Sequence, residues 1–263
     1  MDLGLTNKVA LVCGSSKGLG KATAKCLARE GACVILCSSN PANLEKAKQD
    51  MQEASSAEVT AIIANLSDQE DVSRLIEVLF KRYRHIDILV NNTGGPPPGK
   101  FDELSIDDWR EAYEAMFISA VMLTKSVLPG MKSQRWGRIL NITSIAVKQP
   151  VENLILSNSI RAGITGFART LADEVAPFGI TVNNILPGYT RTERLEHLAE
   201  ETAGRKGISR DEAYQTWIKD IPMIRLGEPE EFGNVVTFLA SEKASYVTGT
   251  SITVDGGWVR SLI

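Results

Sequence analysis

Cysteine and histidine are scarce, and neither is spaced to hold a metal. The four cysteines, Cys13, Cys26, Cys33 and Cys37, include no C-x-x-C pair, and the two histidines, His85 and His197, stand alone. That spacing excludes the usual zinc frameworks, so no metal ligand is expected. All four cysteines fall in expected strands or on a helix face, which reads as buried, reduced thiols in a cytoplasmic protein. No apolar run approaches the ~20 residues of a membrane helix. The opening MDLGLTNK has neither a charged leader nor an apolar stretch, so no signal peptide is expected. There is no block of one charge: Lys and Arg number 29 against 32 Asp and Glu, interspersed. Nucleic acid is therefore not an expected partner. Repeats, low-complexity tracts and linkers are also missing, and 263 residues fit one large α/β domain.

What is present is organised around Lys8 to Gly20, KVALVCGSSKGLG. An apolar strand, Val9 to Cys13, breaks into Gly14, Gly18 and Gly20, and Ala22, Thr23, Cys26 and Leu27 then recur at helical spacing. Strand, glycine turn and helix start together present backbone N–H groups and a favourable dipole to a phosphate. Cys33 to Cys37 is a second buried strand, ending in Ser38, Ser39 and Asn40. An acid at this point would bind the adenosine ribose hydroxyls and repel a 2′-phosphate. Here there is none, and Lys17 adds positive charge, so NADP is favoured over NAD.

The alternation continues. Helix is expected over Pro41 to Ala54, strand over Glu58 to Ala64, and helix from a Ser67 or Asp68 cap through Tyr83. Strand is expected over Asp87 to Val90, followed by the rigid polar segment Asn91 to Pro98. One long helix is expected over Ser105 to Lys132. Strand over Arg138 to Thr143 leads to Ser144, and helix over Ser157 to Val175 carries small residues at Ala162, Gly163 and Gly166. Strand over Ile180 to Leu186 ends in Pro187-Gly188. Residues 189–225 are polar and helical in two pieces, and read as a substrate lid. A helix over Glu228 to Ala240 and a strand over Thr250 to Val254 complete the chain. This order predicts a doubly wound, parallel, seven-stranded Rossmann-like α/β sheet in a single domain with a small helical lid. Ligands in such sheets lie at the carboxyl ends of the strands, where every segment singled out above falls.

From about Thr6 to Trp258 the chain resembles a single-domain short-chain dehydrogenase/reductase of the 3-oxoacyl-reductase-like type. The motifs are Gly14-x-x-x-Gly18-x-Gly20, Asn91-Asn92-Thr93-Gly94 (usually Ala where Thr93 stands), Ser144, Pro187-Gly188 with Thr192, and Val254-Asp255-Gly256-Gly257. The resemblance implies hydride transfer between nicotinamide C4 and a carbonyl or alcohol carbon. It also implies a catalytic serine, which Ser144 matches, followed by a Tyr-x-x-x-Lys pair. At the positions of that pair stand Ser157 and Arg161, and Met116 stands where a supporting asparagine is usual. The chain has no other Tyr-x-x-x-Lys. The expected catalytic set is therefore Ser144, Ser157 and Arg161. The expected dinucleotide contacts are Gly14, Ser16, Lys17, Gly18, Leu19 and Gly20, then Ser38, Ser39, Asn65 and Leu66. Asn92, Gly94, Arg161, Pro187, Gly188, Thr190 and Thr192 complete that set. A homotetramer is the family's usual assembly.

A tyrosine can be tuned towards neutrality as a general acid, whereas an aliphatic hydroxyl is far weaker and an arginine stays charged. Three readings stay open at this point. The chain is an NADP-dependent reductase of a ketone, sugar or 3-oxoacyl substrate with an atypical proton donor; it is a dinucleotide-binding sensor without turnover; or its pocket has been reused for an elimination, with Arg161 anchoring a carboxylate.

Overall fold

The computed structural model describes residues 1–262. Its seven strands are β1 (Val9–Cys13), β2 (Cys33–Ser38), β3 (Val59–Ile63), β4 (Ile88–Asn91), β5 (Gly137–Ile142), β6 (Ile180–Pro187) and β7 (Ser251–Val254). They form one sheet in the order β3-β2-β1-β4-β5-β6-β7, every pair parallel. The expected fold is thus observed, with strand ends within one or two residues of expectation. Parallel strands buried on both faces read as continuous apolar runs, as VALVC and CVILC do.

Among the described residues nine α-helices connect the strands: α1 (Gly18–Arg29), α2 (Pro41–Ala54), α3 (Gln69–Arg82), α4 (Ile106–Tyr113), α5 (Ser119–Gln134), α6 (Ile155–Val175), α7 (Glu193–Lys206), α8 (Arg210–Asp220) and α9 (Pro229–Ala240). Alternate strand residues feed two cores. Ala10 and Val12 pack with α1, α2 and α9 through Leu27, Leu44 and Phe232. Leu11 and Cys13 pack with α3, α5 and α6 through Leu75, Val127 and Leu171. Asp68 caps α3 by accepting from the N–H groups of Glu70 and Asp71, which decides between the two expected caps. Such a cap contributes about 1 kcal/mol. Among the described residues no helix is long and apolar enough to cross a membrane, and none form a candidate metal cluster.

Three expectations need correction. The single helix expected over Ser105 to Lys132 is divided by a π-helical turn, Glu114–Ile118. Its apolar stripe survives because Ala112 before the turn, Met116 within it, and Ala120 and Leu123 after it all stay buried. The helix expected to open at Ser157 starts two residues earlier, at Ile155. Cys33 is only partly buried, unlike the other three cysteines, because it opens β2 at the rim of the sheet.

Candidate active site

The strand order reverses between β1 and β4, and a cleft opens at the carboxyl ends of those strands, as expected at a switch point. Its floor is the glycine turn. Gly14 and Gly18 adopt left-handed φ of 55° and 53°, which only glycine adopts without strain. Asn92, at the end of β4, donates from Nδ2 to the carbonyls of Cys13 and Gly14 at 3.2 Å each, locking the turn to the sheet. Ser15 extends the pairing toward β2: its Oγ accepts from Cys37 N at 3.0 Å. Ser16 and Ser38 hydroxyls meet at 2.8 Å.

The start of α1 suits a phosphate. It has no side-chain cap and no acid in its first turn. By contrast, α2, α3, α4, α7 and α8 are capped by Asn40, Asp68, Ser105, Thr192 and Ser209. The free N–H groups and dipole of an uncapped start favour an anion.

Two cavities share this floor. One, of about 470 Å³, is lined by Ser16, Lys17, Ser38, Ser39, Asn65 and Leu66. The other, of about 440 Å³, is lined by Ser144, Ser157, Arg161, Pro187, Gly188, Thr190 and Thr192, with Leu19 beneath. Gly14, Lys17, Asn92 and Gly94 line both, joining them into one groove. Gly20 is the exception among the expected contacts and lines neither. A Cβ there would stand 2.2 Å from the Gly14 carbonyl oxygen, so this glycine serves the close packing of α1 under the turn.

At the far end of the groove the three expected catalytic residues line one wall. Ser144 follows β5, and its Oγ accepts from Ala146 N at 3.1 Å. Ser157 and Arg161 stand one turn apart on α6 and are both buried. Arg161 Nε donates to Ser157 Oγ at 3.1 Å. Its Nη1 donates to the carbonyls of Ile142 and Thr143, each at 2.8 Å. The guanidinium is thereby fixed against the end of β5. Burial, and then the nearby Arg194 charge, bring its pKa down to about 10, so it remains a cation at neutral pH. Met116 lies in the π-helical turn, packed with Leu156, Ile160 and Ile164, and offers no polar group.

Residues 189–225 contain α7 and α8, in the two helical pieces expected. Tyr189 stacks on Trp217 at 4.9 Å between ring centroids and meets Trp258 edge-on at 5.8 Å. Burial pushes the Tyr189 phenol up to about 12, so it is a poor proton donor. Lys17 reaches this segment through a 2.6 Å ion pair with Glu193. Lys148 and Glu152 are exposed and line neither cavity.

Sequence reasoning passed over one group and gave another the blander of two readings. Thr143 Oγ1 is buried without a partner and Thr143 lines the cleft; a strand residue beside a flagged serine gave no separate signal. Arg194, with Arg191, Arg205 and Lys206, hints in sequence at an anionic substrate, although a solvated face of the lid is the preferred reading there. In the structure Arg194 Nη2 instead donates to Pro96 O at 3.0 Å, and its guanidinium lies against Gly95.

Comparison with known proteins agrees with this geometry. The family model described as "Enoyl-(Acyl carrier protein) reductase" matches residues 14–259. A 3-oxoacyl-[acyl-carrier-protein] reductase of Aquifex aeolicus is 34% identical over 257 residues, covering 98% of this chain and 99% of the relative. An NADPH-dependent reductase of Bacillus subtilis is 31% identical over 259 residues, covering 98% and 100%. Among solved structures, L-sorbose reductase from Gluconobacter frateurii, complexed with NADPH and L-sorbose, superposes with a TM-score of 0.94 at 32% identity over the whole of both chains. The actinorhodin polyketide ketoreductase with NADPH gives 0.92 at 30% identity, covering 97% of this chain and 98% of that one.

Proposed function

The chain belongs to the short-chain dehydrogenase/reductase family, whose members matched here are NAD(P)-dependent oxidoreductases, and from that premise we propose that it is an NADP(H)-dependent carbonyl reductase in which Ser157 and Arg161 serve in place of a tyrosine and a lysine. The observation that carries this reading is the Arg161–Ser157 hydrogen bond, held by two strand-end carbonyls on the wall of the groove.

In this reading the start of α1, with Gly14, Ser16, Lys17, Gly18 and Leu19, holds the pyrophosphate. Lys17, Ser38 and Ser39 receive the 2′-phosphate, which the lack of an acid at the end of β2 permits. Asn65 and Leu66 border the adenine. Asn92, Gly94 and Arg161 border the nicotinamide ribose, and Pro187, Gly188, Thr190 and Thr192 its ring. NADPH in the related structures, and in the name of the Bacillus relative, supports NADP over NAD. Bound NADP(H) supplies or accepts the hydride at nicotinamide C4.

The chain's own residues handle the oxygen of the substrate. Ser157 Oγ accepts a bond from Arg161, so its hydroxyl proton is free to be donated to a substrate oxygen. Ser144, whose Oγ accepts from Ala146 N, can donate in the same way. The Arg161 cation stabilises negative charge developing on that oxygen, with its orientation already fixed by Ile142 and Thr143. Neither serine is a strong acid, so the proton finally retained comes from solvent through the hydroxyls. α7 and α8 act as the lid over the substrate. The substrate is a ketone, sugar or 3-oxoacyl compound.

A homotetramer is the proposed assembly. It is supported by an apolar face where α4 and α6 meet: Ile106 and Tyr113 are 66% and 45% exposed there, beside Trp109, Phe117 and Gly163.

The double replacement Ser157→Tyr with Arg161→Lys tests the assignment. Ketone reduction is expected to rise on the order of 100-fold or more, with NADPH affinity held within about twofold. An unchanged or lower rate in a folded, NADPH-binding variant contradicts it. Tight NADPH binding by both proteins without turnover of any carbonyl compound would favour a binding protein instead.

A further inference from the structure

The substrate end of the groove carries more positive charge than a neutral ketone needs. Four charged side chains line it: Lys17, Arg161, Arg194 and Glu193. Lys17 and Glu193 neutralise each other at 2.6 Å. Arg161 bonds only a hydroxyl and two carbonyls, and Arg194 only the Pro96 carbonyl, so neither guanidinium has a carboxylate partner among the described residues. Arg161 Nη2 makes no hydrogen bond there at all. Each charge lowers the stability of the other, and Arg194 is one of the two causes that depress the Arg161 pKa. Arg161 is buried and Arg194 exposed, and two like charges that line one cavity are eased when an anion joins them. The rest of the wall is apolar, with Ile145, Val151, Leu154, Leu195 and Leu198.

We infer that Arg161 and Arg194 together receive the carboxylate-bearing end of the substrate, which is therefore an oxo acid with an apolar body. The inference rests on the reductase reading above and names its substrate class. Arg161 takes the oxygen that is reduced, and Arg194 takes the carboxylate. Guanidinium forks suit carboxylates because two parallel N–H groups match two oxygens. Arg194 also couples recognition to the lid: it stands in the first turn of α7, and its bond to Pro96 O ties that helix to the loop after β4. A dinucleotide phosphate is the other anion that could use Arg194, and the experiment separates the two.

The test measures binding by calorimetry to the wild-type chain and to Arg194→Met, each with and without NADP⁺. The probes are 2-oxohexanoate, 3-oxohexanoate and 4-oxopentanoate, each beside its methyl ester. At least one acid is expected to bind wild type on the order of tenfold tighter than its ester. In Arg194→Met that preference falls to about one, while NADP⁺ affinity stays within twofold. Equal binding of acid and ester by wild type overturns the inference, as does a preference that survives in the variant. A variant that loses NADP⁺ instead also overturns it, by assigning Arg194 to the cofactor. Failure of wild type to bind NADP⁺ refutes the reductase reading, and the acid–ester comparison without dinucleotide still decides the anion site separately.

Discussion

Ser157 and Arg161 show how one residue's role depends on what holds it. That a serine and an arginine occupy these positions is plain in the sequence. That Arg161 is buried and bonded to the Ile142 and Thr143 carbonyls is not, because those partners lie at the end of β5 and just past it, 19 and 18 residues away. Gly20 shows the opposite case. Its spacing marked it as a ligand contact, but periodicity cannot separate a glycine that faces a phosphate from one that lets two backbones approach. The structure places its missing Cβ against Gly14 O and 2.8 Å from Asn92 Nδ2. Gly20→Ala is therefore expected to push the glycine turn away from Asn92, at a cost of about 1–3 kcal/mol. Denaturant unfolding should show that loss, and fluorescence titration a weaker affinity for NADPH. An alanine variant with wild-type stability and affinity would show that the turn is not held as described.

Among the elements, strands and helices of strong period were legible nearly to their ends. The π-helical turn at Glu114–Ile118 was not, because the extra residue it absorbs leaves the buried stripe unbroken on either side. Arg194 was assigned to a solvated face, over a role toward an anionic substrate, because a helical face in a polar segment looks solvated until its neighbours are known. The link between the start of α1 and the start of α7 was equally hidden: Lys17 and Glu193 are 176 residues apart. This pair has a consequence for cofactor choice. In the proposed function Lys17 must exchange Glu193 for the 2′-phosphate. Both side chains are about half exposed, at 46% and 57%, so the pair contributes at most about 1 kcal/mol. Glu193→Gln should then tighten NADPH binding by up to about fivefold while leaving NADH unchanged. Competition titrations with the two dinucleotides check this. An equal change for both would mean that Lys17 does not meet the 2′-phosphate.

At the scale of the molecule, parallel strands with right-handed crossovers leave few possible sheet orders, and the observed one is among them. That order brings Gly14, Asn92, Ser144 and Pro187, remote in sequence, to one edge of the sheet. The sequence could list these segments, but only the sheet order made them one groove. Assembly was not legible, since small residues on α6 suit either a partner helix or solvent. The central claim concerns the groove: a dinucleotide lies along it, and a fixed arginine cation, not a tyrosine, stabilises the reacting oxygen. The most direct test is the pH–rate profile of NADPH-dependent reduction on the best carbonyl substrate, read by loss of reduced nicotinamide absorbance. In the proposed function the competent form of Arg161 is protonated, and burial lowers its pKa to about 10. The rate should therefore hold level through neutral pH and fall as pH rises through about 10. A chain that fails to take up NADPH, or a rate whose alkaline fall is centred near neutrality, would contradict the account.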